Sequence, residues 1–123
     1  MPNLSTRDND RYRIGHMIQF CEQILTIADG LSEDDLEDDW IRMLALTRLF
    51  ETLGEATTKV SKETKTAHPD IAWEGARRMR NRLIHGYDDI EYELVWNAIV
   101  EDIPLLLDQL ISLQSVLNAT TED

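Results

Sequence analysis

The chain has 123 residues and a formal net charge of -12, with 42% hydrophobic and 29% charged residues. That size and balance predict one globular domain, residues 1–123, and exclude a membrane span, because no apolar run approaches the ~20 residues that a bilayer requires. The charge excludes a generic nucleic-acid binder unless cations gather locally. The single Cys21 excludes an internal disulfide, and the opening "MPNLSTRDND" has no apolar signal segment, so a cytoplasmic protein is expected.

Three prolines and five glycines leave few turns, and no alternating strand pattern occurs, so an all-α bundle of four to five helices is expected. Residues 1–7 and 118–123 read as flexible tails. The first helix is predicted from about Asp8 to Ala28, capped near Gly30. Its core face carries Ile14, Met17, Ile18, Cys21, Leu25 and Ala28, and His16 points away from it as a surface residue. "SEDDLEDD" follows, with six carboxylates at 33–39. It lacks the glycine and closing glutamate of a calcium loop, and it reads as helix-start chemistry with Ser32 as the cap.

A long second helix is predicted from about Asp39 to Lys65. Leu46, Leu49, Phe50, Leu53 and Val60 form one stripe, while Trp40, Ile41 and Leu44 lie on the other side. Apolar surface on both sides calls for two coverings. The second is either another subunit or a neighbouring helix of the same chain. Pro69 then breaks the chain at His68, a loop residue, and Asp70 can cap a third helix from about Ile71 to Gly86. After a turn at "YDDIEY", a last helix from about Glu91 to Leu117 should kink or break at Pro104.

The third helix holds "RRMRNRLIHGY", residues 77–87. Residues 75–87 carry +4 from Arg77, Arg78, Arg80 and Arg82, so the rest of the chain sums to -12 - 4 = -16. An anion should bind at that segment. On a helical wheel Trp73, Ala76, Leu83, Ile84 and Tyr87 cluster around Arg80, placing it within the apolar stripe, with Arg77 at its border. Arg78, Asn81 and His85 form a polar face, where Asn81 and His85 stand one turn apart. Arg77, Arg78 and Arg82 read as solvated. Arg80 needs a carboxylate such as Glu51 or Glu55, a wet cleft or an anionic ligand, because a buried unpaired charge costs several kcal/mol. On the residues alone His85 reads as a helix C-terminal cap. Arg80 and His85 are about 140° apart on a regular helix, so a shared face needs unwinding at Gly86 or a groove across the helix end.

Arg80, His85 and Tyr87 spell R-x-x-x-x-H-x-Y, and with "LGEA" at 53–56, "HPDIAWEGARRMRNRLIHGY" at 68–87 and "VWNAIVEDIPLLLDQL" at 95–110 the chain resembles the HepT-like branch of the HEPN superfamily. The resemblance runs from Tyr12 to about Leu113. It implies an all-α HEPN-like bundle forming a homodimer whose motifs line a composite cleft. It also implies a metal-independent endoribonuclease without a cofactor, acting on RNA rather than DNA, the toxin of a type VII-like toxin–antitoxin pair. By the same resemblance Arg80 and His85 are catalytic, with Asn81, Arg77, Arg78 and Arg82 supporting the substrate. Tyr87 is the residue to which an MntA-like nucleotidyltransferase antitoxin attaches AMP. A different reading keeps the fold and makes the chain a non-catalytic nucleotide-binding or partner subunit. A metal-dependent hydrolase of the helical-bundle type fits poorly, because no histidine has a glutamate three residues before it.

Overall fold

A computed structural model describes residues 5–85 and 92–119, with the backbone alone for residues 83–85. The described chain is helical, without a strand: α1 (Thr6–Ala28), α2 (Glu33–Asp38), α3 (Trp40–Thr58), α4 (Lys62–Ala67), α5 (Trp73–His85), α6 (Tyr92–Asn97) and α7 (Ile103–Ala119). A π-helical turn, Ala98–Asp102, joins α6 to α7. None of these helices is long and apolar enough to cross a membrane.

Helix α1 runs antiparallel to both α3 and α7. Going up α1, Asp10 meets Ser61 and Met17 meets Thr57. On its other flank Arg11 Nε donates to Asn118 Oδ1 at 3.0 Å, and Gly15 lies against Gln114. Helix α5 also packs on α3, and α2 bridges α3 and α6. The core follows the expected periodicity: Ile14, Met17 and Cys21 of α1 meet Leu46, Phe50 and Leu53 of α3, with Leu106, Leu110 and Leu113 from α7. Each such side chain contributes ~1.5–3 kcal/mol by leaving water.

Local chemistry explains most element ends. Ser5 caps α1 by accepting the Asp8 N–H, and Gly30 takes φ +81° after its end, a conformation costly for any residue with a Cβ. The acidic stretch is a short helix of its own rather than the start of the next one. Ser32 and Asp35 close a reciprocal cap on α2, and Asp39 caps α3 by accepting the Arg42 N–H. At the far end, Pro104 has no N–H for the Val100 carbonyl, and the Ile103 N–H reaches back five residues to Ala98. The break expected at Pro104 is this widened turn.

The long second helix is the main departure from expectation. It ends at Thr58, and α4 starts anew after Ser61. The cause is Asp10, 1% exposed, whose carboxylate accepts from Ser61 N–H, Ser61 Oγ–H and Thr64 Oγ1–H. Three donors offset the desolvation of the buried charge, and they hold the chain turned at Ser61.

The start of α5 also differs. Gln109 of α7 accepts the Ala72 N–H at 3.3 Å and donates to the Asp70 carbonyl at 2.9 Å. The helix begins at Trp73, anchored from outside by a side chain 37 residues away rather than by the Asp70 carboxylate.

Candidate functional site

The site is built where α5 crosses α3. Trp73, Ala76 and Met79 are buried and Arg80 is half-buried, while Arg77, Arg78, Asn81 and Arg82 are exposed. Burial of Met79 rotates the inward face away from Arg80, so Arg80 occupies the rim of the apolar stripe instead of its centre. Gly54 accounts for how closely the helices approach there. A Cβ at position 54 would stand 2.5 Å from Arg80 Cβ, 2.9 Å from the Ala76 carbonyl oxygen and 3.1 Å from Arg80 Cδ. The aliphatic stem of Arg80 therefore lies over the bare backbone of Gly54, so its methylenes are covered by α3.

Neither carboxylate considered for Arg80 holds it. Glu51 faces Arg48 at 3.9 Å and Glu55 faces Lys59 at 3.7 Å. Among the described residues no ion pair to Arg80 occurs. A guanidinium carries five N–H donors in a fork that matches two oxygens of a phosphate. Arg77 is engaged one turn back with Glu74 at 3.6 Å, an exposed pair worth at most ~1 kcal/mol that a polyanion can displace. Arg82 has an interaction of its own.

A cavity of about 400 Å³ opens beside the first turns of α5, lined by Trp73, Ala76 and Met79 and by Phe50, Ile103 and Leu106, with Arg78, Glu74 and Asp102 also on its lining. The backbone of α5 is helical through His85. The His85 side chain, Gly86, Tyr87 and the turn at "YDDIEY" up to Glu91 lie outside the described residues. The expectations placed on His85 and Tyr87 therefore rest on the motif.

Elsewhere, His16 lies between Tyr12, ring centroids 4.3 Å apart, and Phe20 at 6.1 Å, with the rings tilted, on the flank of α1. His68 ends α4 and gives its carbonyl to Trp73 Nε1–H at 3.0 Å, which pins the loop before α5. Cys21 is fully buried, and burial pushes its thiol up to about 12. Sequence reasoning missed Gly54 and Asp10. The glycine inside an otherwise strong helix pattern was the one local sign of a close helix crossing.

The model of the family described as ribonuclease HepT-like matches residues 17–113. The chain belongs to the HepT-like ribonuclease family. The expectations of an all-α HEPN-like fold and of an RNA endonuclease stand with that membership. Similar proteins include a candidate RNase of Caldanaerobacter subterraneus subsp. tengcongensis, 33% identical over 94 residues, 76% of this chain and 84% of that protein. A protein described as a probable ribonuclease HepT of Thermococcus cleftensis is 36% identical over 94 residues, 74% of this chain and 86% of that one. A candidate RNase of Methanocaldococcus jannaschii is 35% identical over 88 residues, covering 72% and 81%. No solved structure matches the chain.

Proposed function

We propose that this HepT-like protein is a single-domain, metal-independent endoribonuclease toxin in which Arg80 and His85 hold and cleave an RNA phosphodiester. The observation that carries the reading is the placement of Arg80: stem over Gly54, half-buried, and no carboxylate of the described residues paired with it.

Cleavage without a metal needs three things. A base takes the 2′-OH proton as that oxygen attacks phosphorus, an acid protonates the departing 5′ oxygen, and positive charge offsets the charge gathering on the phosphoryl oxygens. The Arg80 guanidinium supplies the last. Histidine, with a reference pKa of ~6.5, suits the first two near neutral pH. One helix does not present Arg80 and His85 on the same side, since five residues turn it through about 140° net. A two-fold pair of chains resolves this. Each protomer contributes one His85 to a common cleft, one as base and the other as acid. Arg77, Arg78, Arg82 and Asn81 line the approach of the strand. The products carry a 2′,3′-cyclic phosphate and a 5′-hydroxyl.

Tyr87, two residues beyond His85, is the proposed modification site. A nucleotidyltransferase antitoxin would link its phenolic oxygen to the α-phosphorus of ATP with loss of pyrophosphate. The adduct adds an anion and bulk beside the arginines, repelling RNA and filling the cleft. Cytoplasmic location goes with this pairing.

The test uses the purified chain and a labelled structured RNA, with EDTA present. Wild type should yield cyclic-phosphate ends, and Arg80→Ala and His85→Ala should each lose activity by ~10²-fold or more. Equal cleavage by wild type and His85→Ala would remove His85 from the chemistry, and no cleavage by wild type would leave the non-catalytic partner-subunit reading in its place. Incubation with the nucleotidyltransferase and ATP should add one AMP to wild type and none to Tyr87→Phe by intact mass.

A further inference from the structure

The opposite end of α3 carries a feature that phosphodiester cleavage does not use. Trp40, Ile41 and Leu44 stand 68%, 65% and 62% exposed, so no helix of the described chain covers the apolar side that its sequence pattern announces. Trp40 and Ile41 line a depression of about 530 Å³ together with Leu31, Asp35, Asp38, Asp39 and Arg42. Residues 29–44 hold seven carboxylates (Asp29, Glu33, Asp34, Asp35, Glu37, Asp38 and Asp39) against one cation, Arg42, giving -7 + 1 = -6, half of the chain's -12. Asp35 is engaged in the cap of α2, and Asp39 holds the Arg42 backbone and guanidinium. Glu33, Asp34, Glu37 and Asp38 are exposed, with no cation paired to them among the described residues.

We propose that this face docks a partner protein that presents apolar side chains within a cationic rim. Burying three large apolar groups supplies the attraction, and the surrounding carboxylates select the sign of the partner. The same charge selects against two other occupants. RNA brings phosphates to a surface at -6. A second copy docked face to face brings -6 against -6 within a screening length of ~8–10 Å. Gly54 lies 13 residues further along α3 than Ile41, about 20 Å by helical rise, so a partner seated here leaves the Arg80 end of the molecule uncovered. The inference does not depend on the cleavage reading.

The probe is a 14-residue helical peptide of leucine and lysine in amphipathic order, with its leucine/glutamate counterpart as control, titrated into the full chain by amide NMR. The leucine/lysine peptide should shift amides within Leu31–Leu44. Its affinity should fall at least ~10-fold in Leu44→Asp and in the Glu37→Lys/Asp38→Lys double variant, and also as salt rises. The control should not bind. Circular dichroism must show both variants folded, and their RNA cleavage should equal wild type, which separates this surface from the Arg80 site. Binding undiminished in the folded variants, shifts confined elsewhere, or shifts of the same amides by a short RNA would overturn the proposal. So would light scattering that shows a wild-type dimer and a Leu44→Asp monomer at one concentration, because the face would then belong to a second copy.

Discussion

A methyl group on residue 54 would stand 2.5 Å from Arg80 Cβ and 2.9 Å from the Ala76 carbonyl oxygen, and neither atom can move without moving α5. Gly54→Ala gains up to ~1 kcal/mol of helix propensity and loses ~1–3 kcal/mol to overpacking, so modest net destabilisation is expected from urea unfolding. Cleavage should fall by more than the folded fraction does, because the helix that carries Arg80 is displaced. Activity unchanged at equal folded protein would show that the close crossing is irrelevant to the site. Cys21 belongs to the same scale. Its folded thiol ionises only near 12, against ~8.5 unfolded, so its contribution to stability is whole below pH ~8.5 and is lost as pH rises toward 12. Between pH 8 and 10 wild type should lose more stability than Cys21→Ala, by up to about 1.4 kcal/mol per pH unit. Equal slopes in urea unfolding would remove that assignment.

At the scale of elements, the turn between α3 and α4 depends on one carboxylate of α1. Asp10→Ala leaves the Ser61 N–H and Oγ–H and the Thr64 Oγ1–H without their acceptor, at a cost of about 2–4 kcal/mol. The measurement is a shift of the urea midpoint, joined to faster amide exchange confined to α4 and the start of α1. Stability within ~0.5 kcal/mol of wild type would mean that water replaces the carboxylate. The widened turn before Pro104 places Ala98 and Ile103 on the lining of the cavity beside α5, so the irregular element borders the first turns of that helix.

At the scale of the whole molecule, the charge is divided. Residues 75–87 carry +4, while residues 29–44 carry -6. An RNA approaching the surface is attracted at the first and repelled at the second, so cleavage should weaken steeply with salt. If two protomers share one cleft, specific activity should also fall on dilution through the dimer's dissociation range, in step with the mass from light scattering. Constant specific activity in a solution of monomers would eliminate the composite cleft.

What the sequence by itself determined is what one helix encodes about itself. Leu46, Phe50 and Leu53 announced the buried face of α3, four arginines announced the anion-seeking segment, and Pro104 announced a break, because each signal repeats or ends within a few residues. Tertiary structure decided the rest. Asp10 splits the long helix from 51 residues away, Gln109 rather than Asp70 starts α5, and Met79 and Gly54 together move Arg80 from the centre of a stripe to its rim. The same division holds for Trp40, Ile41 and Leu44, whose apolar pattern was legible and whose exposure was not. A helix states which of its faces is apolar, and only the positions of its neighbours settle what that face meets.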